Sequence, residues 1–298
     1  MNQWTVGEAD KITFDEAPSA LQVRIIGGAV NVVAAEGPAR LEVTELEGEP
    51  LHVTLTDGVL TVTYPNLSWN DFGERFRSLD SVKSFVASLR RKRRAVVSLT
   101  VPAPTEVRIG AVTADTTVSG VRGAVSVHGV AGYTTLAGLD GAVEAKSVSG
   151  NIDAESVAGE LKLHSVSGEL TVLAGSTAKL RANTVSGAVT LDLAGRTPAD
   201  VKVNTVSGDV AVRLPQPADT TVEAGSTNGQ FSTAFDELTV TGTWGAKKLG
   251  GTLGEGTGRL QVTTVSGAIS VLRRPDVEDE GPSLVKELTD GTENGAGA

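Results

Sequence analysis

From Val121 the chain can be written in nines: VRGAVSVHG, VAGYTTLAG, LDGAVEAKS, VSGNIDAES, VAGELKLHS and VSGELTVLA. Gly123, Gly132, Gly141, Gly150, Gly159 and Gly168 fall nine residues apart without a slip. The period then loosens. Gly187, Gly208 and Gly229 follow at longer steps, and a last copy, TTVSGAISVL, carries Gly267. A fixed internal period marks a repeat architecture. Within each unit the second and fourth residues after the glycine are apolar in most copies, as in Val125 and Val127, Ile152 and Ala154, Leu161 and Leu163, Val189 and Leu191, or Ile269 and Val271. A period of two places one face of a strand in a core. The glycine marks a corner, where positive φ or close backbone approach excludes a Cβ.

A strand of about five residues cannot bury its apolar face alone, so neighbouring units must cover one another. The expectation is an all-β fold, a stacked-coil β-solenoid of the β-helix kind, with two nines to a coil. AGRTPAD (194–200) and PQPAD (215–219) fall where surface loops are needed. Meandering antiparallel hairpins give the same spacing and remain open. The residue before Val-x-Gly is Ser or Thr at Thr117, Ser147, Ser156, Ser165, Thr184, Thr205 and Thr264. Stacked hydroxyls there are expected to satisfy corner backbone groups. Composition agrees: aromatics are only 4% of the chain while Gly numbers 35, which suits β-branched cores and many tight turns.

The N-terminal third, residues 1–65, also alternates, in LQVRIIGG, AVNVV, ARLEVTELEG, LHVTLTDG and VLTVTYP. Turns are expected at Gly27–Gly28 and at Asp57–Gly58, the latter a hairpin cue. One segment departs, residues 66–94. Trp69, Phe72, Phe76, Leu79, Val82, Val86 and Leu89 recur at helical spacing, ending in Arg90, Arg91, Lys92, Arg93 and Arg94. This predicts an amphipathic helical insertion with a basic end. Two roles stay open for it: a cap on the stack, or an in-plane contact with anionic membrane through Trp69, Phe72, Phe76 and the five basic residues. The repeat region then runs over 95–274, continuous with the N-terminal strands. The acidic, Gly-rich tail 275–298 reads as disordered.

Little in the chain suggests chemistry. Cys is absent, so neither a disulfide framework nor a thiolate metal site is expected. The formal net charge of −10 argues against a nucleic-acid partner. MNQWTVGEADKITFDE lacks the parts of a signal peptide, and no stretch is apolar for long enough to span a bilayer, so the expected location is cytoplasmic, with peripheral membrane contact as an option. His128 and His164 share one outward repeat position, two coils apart, too far to share a metal. Glu144, Asp153, Glu155, Glu160, Glu169 and Asp209 are the candidate carboxylates of a carbohydrate-active enzyme, the alternative reading. They occupy different repeat positions without an aromatic platform. The Asp column of calcium-binding nonapeptides is missing. No cofactor is expected.

LQVRIIGGAVNVV, AVVSLTVP and the recurrent TVSG-x-V-x-V units resemble the bacterial β-strand-repeat family labelled "putative adhesin", of the toast-rack superfamily, over residues 15–273. The style of sequence is similar to that of actinobacterial members. The resemblance implies a non-catalytic scaffold of unknown molecular function, linked to envelope stress. It carries over no catalytic or binding residue. Independently of it, the long regular face and the edge strands at the stack ends point to an unknown protein partner or to self-association.

Overall fold

The computed structural model describes residues 2–65, 67, 93–195, 199–242 and 245–275. These residues contain 24 strands and no helix. All the strands hydrogen-bond into one sheet.

In the regular middle, each nine-residue unit is one strand plus one corner. The strands Val125–Gly129 (β9), Val143–Lys146 (β11), Leu161–His164 (β13), Lys179–Asn183 (β15) and Asp200–Asn204 (β17) pair in parallel as a first wall. The alternate strands Thr134–Ala137 (β10), Ile152–Glu155 (β12), Leu170–Gly175 (β14), Val189–Leu193 (β16) and Val210–Leu214 (β18) form a second wall in the same way. The chain crosses from wall to wall at every corner. In-register pairing stacks like on like, so Val127, Ala145, Leu163, Ala182 and Val203 form one inward row, each 1% exposed or less.

The corners explain the TVSG signature residue by residue. The Ser or Thr hydroxyl accepts the N–H of the glycine three residues on, at 2.8 Å for Ser147–Gly150, 2.8 Å for Ser165–Gly168 and 3.0 Å for Thr205–Gly208. The hydroxyls therefore satisfy corner backbone groups, chiefly within their own corner, and Ser226 also donates to the Gly267 carbonyl of the adjacent layer at 3.5 Å. The serine before the glycine makes the vertical link. Ser167 donates its N–H to the Val148 carbonyl at 2.9 Å and its Oγ to the same oxygen at 3.1 Å. Close approach excludes a side chain at the glycine itself. A Cβ on Gly168 would lie 2.0 Å from the Gly150 carbonyl oxygen. The nine-residue period alternates between two such columns, Gly123–Gly141–Gly159 at one corner and Gly132–Gly150–Gly168–Gly187–Gly208 at the other.

The N-terminal strands are Asn2–Val6 (β1), Asp10–Thr13 (β2), Ala20–Ala34 (β3), Arg40–Glu47 (β4), Leu51–Thr56 (β5), Val59–Thr63 (β6), Arg94–Val101 (β7) and Glu106–Ser119 (β8). No turn occurs at Gly27–Gly28; β3 runs straight through. At Gly28 φ is +108°, and a Cβ would meet the Ala95 carbonyl at 2.0 Å, so glycine there lets the strand bend without ending. The two halves of β3 pair with β6 and β7 on one side and with β8 along its length on the other. β8 in turn pairs through its first half with β9 and through its second with β10. Both long strands thus belong to both walls.

The expected solenoid with a helical insertion is not what forms. The sheet curls into a nearly closed 17-strand barrel, and the described residues hold no helix. A nine-residue period reports the local strand-and-corner unit. It carries no information on the two long strands that join the walls. The helical pattern lies outside the described residues except for Leu67, Arg93 and Arg94, and Arg94 opens β7 rather than ending a helix. The tail beyond Pro275 also lies outside them.

The C-terminal strands are Thr220–Ser226 (β19), Phe231–Thr233 (β20), Thr239–Thr241 (β21), Lys247–Leu253 (β22), Gly258–Thr264 (β23) and Ile269–Arg273 (β24). Order along the chain and order in space part company here. β23 and β24 pair with β17 and β18, and β19 and β20 lie beyond them. The last TVSG copy is therefore inserted between its two predecessors. Gly267 packs on Gly208, and Gly229 packs on Gly267.

Candidate interaction surface

The outward residues of the first wall are charged, and register explains their order. Five residues after each glycine of one column stand His128, Lys146 and His164, neighbours in the ladder. Asn183 and Asn204 continue the column, with the Asn204 side-chain amide donating to the Asn183 oxygen at 2.8 Å. The histidines stand two strands apart with Lys146 between them, so they share no metal. Among the described residues, no group of three His, Cys, Asp or Glu is placed to hold one. Lys146 occupies the same phase of the repeat as the histidines, and that phase is the signal that would have found it.

Beside this column, carboxylates and cations pair along and across strands. Glu144 holds Lys146 at 2.6 Å, Glu106 holds Arg108 at 2.7 Å, and Glu160 bridges Lys162 at 3.2 Å and Lys179 at 2.9 Å. Asp200 pairs with Arg181, and Glu223 with Arg259 at 2.7 Å. The hydrogen bond from Lys146 holds the Glu144 carboxyl below its ordinary value, and those from Lys179 and Lys162 do the same for Glu160. Burial, helped by the positive charge of Lys146, pushes His128 and His164 down. Short side chains at Ala124, Ser126 and Ala142 leave an open notch of about 510 Å³ in this face, walled by Glu106, Arg108, His128, Glu144, Glu160 and Lys162.

Of the carboxylates considered for sugar cleavage, Glu144 and Glu160 share this notch on the first wall, each held by lysine, while Asp153 and Glu155 lie on the second wall. Asp209 accepts the Ala268 N–H at 2.8 Å. A glycosidase needs one carboxyl held protonated at neutral pH. Cations here depress the carboxyls of Glu144 and Glu160 instead. Both carboxylates of the notch are thus paired with cations.

Of the basic run, only Arg93 and Arg94 are described; Trp69, Phe72, Phe76, Arg90, Arg91 and Lys92 lie outside the described residues. Arg93 is engaged inside the barrel wall. It pairs with Glu49 at 2.6 Å, its side chain is only 11% exposed, and its guanidinium lies 5.7 Å from the centre of the Tyr64 ring. Burial pushes the Tyr64 phenol up to about 12. Arg94 reaches outward, 3.4 Å from Glu45.

These features define a β-repeat barrel with a charge-paired outer face. The Toastrack DUF4097 family model matches residues 97–272, more than half of the 298-residue chain, and the chain belongs to that family. No curated protein matches it. Among solved structures, a putative cell adhesion protein from Clostridium sporogenes is similar at 13% identity, covering 90% of this chain and 100% of the other, with a TM-score of 0.28. A putative lipid binding protein from Parabacteroides distasonis is 12% identical over 90% and 98% of the two chains, with a TM-score of 0.37. A putative adhesin from Parabacteroides merdae is 11% identical over 90% and 97%, with a TM-score of 0.34. At these values the assignment rests on the family match. No helix among the described residues is long and apolar enough to cross a membrane.

Proposed function

We propose that this protein is a non-catalytic, adhesin-like scaffold that presents the charged face of its first wall to a macromolecular partner. The observation that supports this is the pinning of the ordered carboxylates of Glu144 and Glu160 by lysines, which suits recognition and not proton transfer. Exposed ion pairs such as these add only about 0–1 kcal/mol each to stability, so a face built from them is cheap to rearrange against a partner. The location we assign is cytoplasmic and membrane-peripheral, and envelope-stress sensing is the cellular form of the same reading. Binding of labelled protein to an envelope fraction tests it. Replacing Lys146, Lys162 and Arg181 together by Glu should lower that binding at least about tenfold, a loss of about 1.4 kcal/mol. Unchanged binding rejects the face. Turnover of a glycan abolished by Glu144→Gln rejects the scaffold.

Peripheral contact with anionic lipid belongs to the same proposal, through Trp69, Phe72, Phe76, Arg90, Arg91, Lys92 and Arg94. Arg93 is removed from the set because Glu49 and Tyr64 hold it. Vesicles containing phosphatidylglycerol should co-sediment with the native chain. A variant with Arg90, Arg91 and Lys92 changed to Gln should bind the vesicles roughly a hundredfold more weakly, since each base near an anionic surface contributes about 1 kcal/mol.

A further inference from the structure

The inward rows of a β-barrel end somewhere, and each end must be covered. In this molecule the N-terminal end of the first wall is covered by an aromatic pair: Trp4 of β1 meets Phe14 edge-on at 5.3 Å between ring centres. The C-terminal end of the second wall is covered by Phe235, 6% exposed, with the Arg273 guanidinium 5.0 Å from its ring centre. The C-terminal end of the first wall differs. Its inward row passes through Val203, Val262, Ala224 and Leu249, exposed by 3% or less, and then reaches Val240 of β21, which is 50% exposed. A residue in a core row is left bare on its far side.

The strand that carries it is open in other respects. Among the described residues β21 pairs only with β22, and all three of its residues are exposed. Exposed edges are ordinarily blunted by charge, proline or a bulge. Of the other edges, β2 carries Asp10 and Lys11, while β1 and β20 are uncharged like β21 but leave no large hydrophobic residue exposed. β21 reads Thr-Val-Thr, without a charge. Read in either direction the sequence is the same. An antiparallel copy of the strand therefore sets Thr239 against Thr241, Thr241 against Thr239 and Val240 against Val240. Thr–Thr and β-branched pairs are favourable cross-strand neighbours.

We infer that β21 is a self-association edge, where a second copy of this chain adds its own β21 about a two-fold axis through Val240. The sheet then continues from one barrel into the next, and the bare end of the core row closes on its symmetry mate. This deepens the scaffold reading by naming one partner, and it rests on that reading. A two-fold contact is self-complementary and closes at two copies. The edge is short, so its area falls below that of a standard stable interface and the dimer forms reversibly, at high concentration.

The chain contains no cysteine, which makes single-cysteine cross-linking clean. Val240→Cys is expected to give a disulfide-linked dimer at least about tenfold faster than Val206→Cys, a valine of similar exposure at 48% on a corner elsewhere. In sedimentation the native chain should show a concentration-dependent dimer. Val240→Lys should weaken that dimer at least about tenfold while leaving the thermal transition in place. Equal cross-linking rates, a native chain that stays monomeric near millimolar concentration, or growth beyond two copies each overturns the proposal. Binding to the envelope fraction is read separately, so a failed dimer leaves the partner-binding face standing.

Discussion

At the residue scale, each position of Ser/Thr-Val-Ser-Gly does a different job. The first hydroxyl accepts the glycine N–H, the serine N–H and Oγ reach the next layer, and the glycine admits a carbonyl where a Cβ would stand. Gly168→Ala places that Cβ 2.0 Å from the Gly150 oxygen, so two layers of backbone must separate. The expected loss is about 3 kcal/mol or more, above that of ordinary overpacking because rigid backbone has to move. Gly225→Ala is the control. Nothing lies within 4 Å of its Cβ position, and its stability should change by less than about 0.5 kcal/mol. Ser165→Ala removes the acceptor from a buried N–H and should cost about 1–3 kcal/mol. Urea unfolding of the three variants gives the ranking. An equal loss at Gly168 and Gly225 would mean that contact with the next layer does not set the requirement.

At the scale of elements, the outer column of the first wall makes stability depend on pH. His128 faces Lys146 and Glu144 on β11, and Arg108 lies on the neighbouring β8 beside Ser126. His164 faces Lys146 on one side and Asn183 on the other, with Lys162 on its own strand. Both histidines have folded-state values pushed below the ordinary 6.5. The unfolded chain therefore takes up protons first as pH falls. Stability is full above about pH 6.5 and declines as pH drops from there through the lowered values. The depressed Glu144 and Glu160 add a further decline at lower pH, as they lose their lysine partners' bonds on protonation. His164→Asn extends the Asn183–Asn204 ladder downwards and should flatten the slope between pH 6.5 and 5.5. The midpoint of urea unfolding at the two pH values measures it, and an unchanged slope would remove His164 from the account.

The same scale shows what the sequence makes legible. Alternation after each glycine marks Val127, Leu163 and Val212 as inward and His128 and His164 as outward, because period two is a property of one strand. The partner of a strand is not such a property. That β23 and β24 slip between earlier copies follows from a long excursion through β19 to β22, and a spacing of glycines cannot register it. The pairing of Glu160 with Lys179 is hidden for the same reason, since the two residues meet only through the β13–β15 register.

At the scale of the molecule, β3 and β8 decide the architecture, and both were obscured by glycine or by small residues within a strand. Written as LQVRIIGG and AVNVV, β3 looks like two strands and a turn; the backbone bends at Gly28 and continues. Because each long strand is shared by both walls, neither wall can open without breaking its bonds. Local stability should follow this connectivity. β3 has hydrogen-bonded neighbours on both edges along nearly its whole length, and β8 along most of its own, whereas β21 has one neighbour over three residues. Amides of residues 20–34 and 106–119 should exchange with solvent only through global unfolding, and those of 239–241 through local fraying, at least about a hundredfold faster. Exchange read by mass spectrometry at low protein concentration separates the two. At high concentration the β21 amides should gain protection while β3 does not change, because only the edge acquires a new neighbour. Protection that rises equally at both ends of the first wall would mean that the copies associate without regard to which end of the core row lacks its cover.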